Sequence, residues 1–185
     1  MLKNTKIIGG LGIVMLIGLV LFFVARNLDP TTKRITILPG YEMSKEIGDF
    51  TIESDGNGTV KVYDAQSHRE VLDLFQMVET YHGVDNYRLE RVDSAKILLD
   101  CEAASPGTIQ HCTSVKSVTP LRADDFFIAK YILLGEVASN EETSTVTYTI
   151  LDVLLPGGTL LSGMVDGFLN DDSLRLIAKS FRKTN

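Results

Sequence analysis

The chain lacks the residue arrangements on which most catalysis depends. It contains no phosphate-binding G-x-x-x-x-G-K-[ST] loop, no G-x-S-x-G nucleophile turn and no H-E-x-x-H metal motif. Histidine occurs three times, at His68, His82 and His111, and no motif places a serine, cysteine or acid beside any of them. Asp124-Asp125 and Asp171-Asp172 are adjacent pairs whose side chains diverge, so they read as solvated or helix-capping acids rather than as an acid/base couple. These gaps argue against an enzyme and imply no cofactor. Internal repeats and low-complexity tracts are also missing.

Cysteine is nearly absent too. The only two are Cys101 and Cys112, in the stretch CEAASPGTIQHC. Zinc sites favour paired ligands such as C-x-x-C, and catalytic redox pairs use that spacing at a helix start, so neither a metal nor a redox role follows. Two buried, unpaired thiols in a cytosolic domain are the competing reading. With Pro106-Gly107 turning the chain midway, the expectation adopted is a structural disulfide, worth about 3 kcal/mol for a loop of this length, in an oxidising compartment.

Acidic residues are missing from the first 26 positions, although the chain carries 24 of them. Instead Ile7 to Val24 reads IIGGLGIVMLIGLVLFFV, long enough at about 1.5 Å per residue to reach about 27 Å, close to the hydrocarbon thickness of a bilayer. A cleaved signal peptide fits less well, because the apolar run is long and Phe23 and Ala25 make a poor cleavage site. The expected organisation is a cytoplasmic amino terminus at 1–6, a single-pass transmembrane anchor at 7–25, a tether at 26–33 and an extracytoplasmic domain at 34–185. The charges flanking the anchor partly offset one another, so the cysteines decide that orientation. Beyond Arg26 the chain holds 15 basic and 24 acidic residues, a balance of −9 that disfavours nucleic acid as a partner.

Periodicity predicts an α+β domain: a mixed sheet with three packed helices and a carboxy-terminal, three-strand antiparallel meander. RITIL at Arg34 to Leu38 is a strand, and FTIESDGNGTVKVYD is a hairpin turning at Asp55, Gly56, Asn57 and Gly58. Asn57-Gly58-Thr59 also matches a glycosylation sequon, relevant only in a eukaryotic secretory membrane. Ser67 and Glu70 form a capping box ahead of a Val71, Leu74, Phe75, Val78 stripe, which predicts a helix ending at His82-Gly83. YRLERV, Tyr87 to Val92, predicts a strand, and SAKILLDCEA a second helix. YILLGEVAS, STVTYTILDVL and TLLSGMV form the meander, the first being the type buried on both faces. Leu174, Ile177, Ala178 and Phe181 mark a third helix, opened at Asp171 to Ser173 and closed by Arg182-Lys183.

In order, the blocks RITILPG, YRLERVDSAKILLDCE, AKYILLGEV and YTILDVLLPGGTLLSG resemble the periplasmic domains of the curli-secretion channel protein CsgG, the LpoB-type lipoprotein activators of penicillin-binding proteins and the amino-terminal domain of TolB. The hairpin turn and the cysteine loop stand out as insertions, and the long amphipathic hairpins of a secretion pore are missing. The resemblance implies a non-catalytic assembly factor at the inner membrane with its domain in the periplasm. It would work through protein-protein interaction with other cell-envelope proteins, as an accessory or scaffold subunit of a secretion, motility or outer-membrane complex. The alternative is a regulator of one membrane enzyme or sensor. Partner contacts are expected at the two insertions, Asp55 to Gly58 and Ser105, Pro106 and Gly107.

Overall fold

A computed structural model describes residues 33–93, 96–103, 111–139, 142–167 and 169–184. The anchor expected at 7–25 and nearly all of the tether lie outside those residues. Among the described residues no helix is long and apolar enough to cross a membrane, so the transmembrane element of the expected fold is not retained.

The strands are β1 (Arg34–Leu38), β2 (Tyr41–Ser44), β3 (Glu46–Ile47), β4 (Phe50–Ser54), β5 (Val60–Asp64), β6 (Glu70–Thr80), β7 (His111–Ala123), β8 (Phe127–Ser139), β9 (Glu142–Leu154), β10 (Thr159–Met164) and β11 (Arg182–Lys183). Between β6 and β7 lie α1 (Val84–Tyr87), a π-helical turn (Arg88–Asp93) and α2 (Lys96–Ala103); α3 (Asp171–Ser180) precedes β11. The main sheet has eight strands in the order β3-β4-β5-β6-β10-β9-β8-β7, and β1-β2-β11 form a smaller one. Every pairing is antiparallel. The α+β, mixed-sheet expectation is therefore corrected to a mostly β fold.

Period-two alternation sorts the strands' side chains onto two buried faces. Ile128, Leu151, Val153 and Leu161 pack with Leu174, Ile177 and Phe181 at α3 and with Ile37 and Met43 of the small sheet. Their neighbours Phe127, Ala129, Tyr131, Ile150, Leu154 and Leu160 face the other way, onto Tyr87 and Ile97. The expected meander is present, with β8 pairing β9 and β9 pairing β10, and so is the β4–β5 hairpin. Helix α3 ends at Ser180, and Asn170 supplies its cap: the Asn170 Oδ1 accepts from the Ser173 N–H at 2.9 Å. Arg182 and Lys183 belong to β11 rather than to the helix.

Two further expectations are overturned. The segment read as a helix from Ser67 is strand β6, which carries a ladder on each side: Val60↔Leu74 and Lys61↔Asp73 with β5, Leu161↔Gln76 and Ser162↔Phe75 with β10. Two sets of long-range hydrogen bonds outweigh a local helical preference. The Ser67 hydroxyl caps nothing and donates instead to Asp64 Oδ1 at 2.7 Å. The apolar stripe is divided accordingly, with Leu74 fully buried and Val78 97% exposed. Leu74→Ala should cost about 2–5 kcal/mol, and Val78→Ala no more than about 0.5 kcal/mol. Urea denaturation of both variants checks this, since a helical stripe would make their costs similar.

The segment Tyr87 to Val92, read as a strand, ends α1 and forms the π-helical turn. The helical path brings Tyr87 and Arg91, one turn apart, onto the face that meets the sheet.

β7 is the long edge of the main sheet. Its pairing with β8 shifts register at three places, and it carries Lys116 and Pro120. Bulges, lysine and proline all discourage edge-to-edge association.

Candidate functional site

Asp152 sits on β9 within the apolar run TILDVLL, 1% exposed, and so requires a partner. Arg91, fully buried, provides one: Nε donates to Asp152 Oδ2 at 2.6 Å and Nη2 to Oδ1 at 3.2 Å. Nη2 also donates to Ser162 Oγ on β10 at 2.9 Å. The Tyr87 hydroxyl lies 2.6 Å from both Asp152 Oδ2 and the Tyr131 hydroxyl. It has one proton, and the carboxylate is the stronger acceptor, so Tyr87 donates to Asp152 and accepts from Tyr131. Burial, then the Asp152 charge, pushes the Tyr87 hydroxyl far up. Burial pushes Tyr131 up to about 12. Both phenols stay protonated at neutral pH, which makes this a structural clamp rather than a source of nucleophile.

Beside the clamp, along β6 and β10, lies an open cavity of about 650 Å³. Ser162 is common to both, so Arg91 braces the cavity wall. Apolar side chains dominate the lining: Leu72, Phe75, Met77, Ile150, Met164 and Val165. Phe75 is 49% exposed, although it lies mid-strand. The volume falls in the range typical of binding sites, and exposed apolar groups gathered in a concavity mark interaction surfaces.

Three carboxylates complete the lining, on Glu70, Asp73 and Asp166. Lys61 spans two of them, 2.8 Å from Glu70 Oε2 and 3.3 Å from Asp73 Oδ2, and Arg69 reaches Asp166 Oδ2 at 2.7 Å. Burial raises the Asp73 carboxyl above its ordinary value, against the opposing pull of Lys61. Its Oδ1 is shielded from solvent and accepts no hydrogen bond.

Asp55 to Gly58, singled out in the sequence, are not among the residues lining this cavity. Asp55 to Gly58 form the β4–β5 turn, where Asp55 Oδ1 accepts from the Asn57 N–H at 2.8 Å and the Thr59 N–H at 3.0 Å. The Gly58 N–H donates to the Ile37 carbonyl at 2.9 Å, fastening this turn to β1. Ser105, Pro106 and Gly107 lie outside the described residues. Cys112 is disulfide-bonded, and the side chain of Cys101, the other cysteine of the sequence, lies outside the described residues. Cys112 enters as a side chain packed near Tyr131 and Leu133, 2% exposed. His68 and His82 are exposed, and among the described residues no group of three histidine, cysteine or acidic side chains could hold a metal.

Sequence reasoning missed the cavity because β6 was read as a helix. The clamp left one legible signal: a lone aspartate inside the largely apolar run TILDVLL must be paired. No family model, curated protein or solved structure matches this chain.

Proposed function

We propose that this domain is a non-catalytic interaction module that receives a segment of a partner protein in the β6–β10 groove. The observation that carries the reading is the groove itself, an open cavity along β6 and β10 lined mostly by apolar side chains. Phe75 and Met77, residue types enriched in interface cores, supply apolar contact area, and the carboxylates supply a polar rim. The setting proposed is the periplasmic side of a cell envelope, as an accessory or scaffold subunit. That setting rests on the likeness of 34–40, 87–102, 129–137 and 148–163 to envelope assembly domains.

The test is site-specific photocrosslinking in cells, with p-benzoylphenylalanine replacing Phe75 in one full-length chain and Leu99 in another. Leu99, on α2, is 64% exposed and distant in sequence from the groove strands. Adducts to a defined protein from position 75 that are absent from position 99 are expected. Identical adducts from both positions would overturn the reading. A fixed ratio of partner to chain in the purified complex marks a scaffold, and a substoichiometric ratio with a change in the partner's rate marks a regulator.

A further inference from the structure

The turn between β4 and β5 carries chemistry that the docking role leaves unused. Asn57-Gly58 is the one Asn-Gly step in the sequence, and Asn57 is exposed. Such a step can react with itself, because glycine places no side chain between its own backbone nitrogen and the preceding carboxamide. The fold requires that glycine: φ at Gly58 is 100°, and an added Cβ would lie 2.6 Å from Gln76 Cβ. The carboxamide is lightly held, with Asn57 Nδ2 donating to the Asp55 carbonyl over a long 3.4 Å. What restrains the reaction is the nucleophile. Gly58 is buried, and its N–H donates at 2.9 Å to the carbonyl of Ile37, itself fully buried on β1.

We infer that Asn57 is a deamidation site gated by β1. While β1 is docked, the Gly58 nitrogen keeps its proton in the bond to Ile37. When β1 opens, that nitrogen gives its proton to a base in water and attacks Asn57 Cγ. The N–Cγ bond forms, the Cγ–Nδ2 bond breaks, and Nδ2 leaves as ammonia after taking a proton back from water. Water then opens the succinimide at either carbonyl, so asparagine and water become ammonia and either aspartate or isoaspartate, with no oxidant or reductant. Both products add a negative charge beside Asp55. Isoaspartate also inserts one atom into the main chain ahead of Gly58, which moves its N–H out of register with Ile37 and holds β1 off the turn. The modification is therefore a lasting record that the first strand has opened.

The experiment follows the full-length chain in mildly alkaline buffer by peptide mass mapping, with isoaspartate labelled by protein isoaspartyl methyltransferase. A free peptide spanning Ser54 to Val60 gives the ungated rate. Asn57 in the folded chain should react at least about tenfold more slowly than in the peptide, because the reactive form requires a local opening. Urea below the unfolding transition should speed Asn57 reaction and Gly58 amide exchange by factors that agree within about twofold, since both need the same opening. Once isoaspartate has formed, the Gly58 amide should have lost its protection. Asn57→Asp, which carries the charge without the extra atom, should keep it. A folded chain that reacts at the peptide's rate overturns the inference, and so does Gly58 exchange that quickens in urea while Asn57 reaction does not. Full Gly58 protection in the isoaspartate chain overturns it as well, by showing that β1 closes regardless of the modification.

Discussion

Asp152→Ala should lower stability by about 3–5 kcal/mol, because it leaves the Arg91 guanidinium buried with no counter-charge. For a chain of this size that corresponds to a fall in Tm of roughly 6–20 °C. The loss extends beyond one ion pair. The Tyr87 hydroxyl loses the acceptor of its proton, and Tyr131 loses the partner that oriented the Tyr87 oxygen toward it. Replacing Arg91 with Met alone should cost a similar amount, by stranding the carboxylate. Arg91→Met combined with Asp152→Leu should cost clearly less than the sum of the single changes, since no charge remains unpaired. Urea denaturation of the four proteins closes this double-mutant cycle. Additive single costs would show that the clamp does not act as a unit.

Gly163→Ala is the second severe change expected. A Cβ at that position would lie 1.7 Å from the Asp73 carbonyl oxygen and 2.7 Å from its carbon, backbone atoms that no rotamer change can clear. β10 and β6 would have to part where Ser162 and Asp73 line the groove. The cost should reach about 3 kcal/mol or more, the upper range for overpacking. Gly158 is constrained in a second way: φ is 92°, and a Cβ would lie 2.0 Å from the Tyr81 carbonyl oxygen. Gly167, with nothing within 4 Å of an added Cβ, is the internal control, and Gly167→Ala should change stability by no more than about 0.5 kcal/mol. Thermal unfolding ranks the three variants. Hydrogen exchange at the Phe75 and Gln76 amides should accelerate in Gly163→Ala while β8 and β9 stay protected, and uniform acceleration would place the damage elsewhere.

These two sites show how much of the molecule could be read in advance. The β4–β5 hairpin, the β8–β9–β10 meander and the apolar stripe of α3 depend on neighbours close in sequence, and alternation or helical spacing exposes them directly. β6 is different. Val71, Leu74, Phe75 and Val78 satisfy a helical period, and only its pairing with β5 and β10 at once decides in favour of a strand. The π-helical turn was hidden similarly, because Arg91 takes its conformation from an aspartate 61 residues away. The groove inherits both difficulties. Its walls come from β6 and β10, and no local pattern in either segment shows that Asp73 and Ser162 face a common space.

The pairing of Thr80 with Thr159 also has a kinetic consequence. Roughly 80 residues of chain must be made, and most of their own pairings formed, before β10 reaches β6. During synthesis, which proceeds from the amino terminus at about 5–20 residues per second, β6 leaves the ribosome several seconds before β10. In that interval β6 is a half-paired strand and the groove has only one wall. On the proposed docking role, recognition through this surface would begin only once the distant carboxy-terminal strand has arrived, and a nascent chain lacking β10 would bind no partner there.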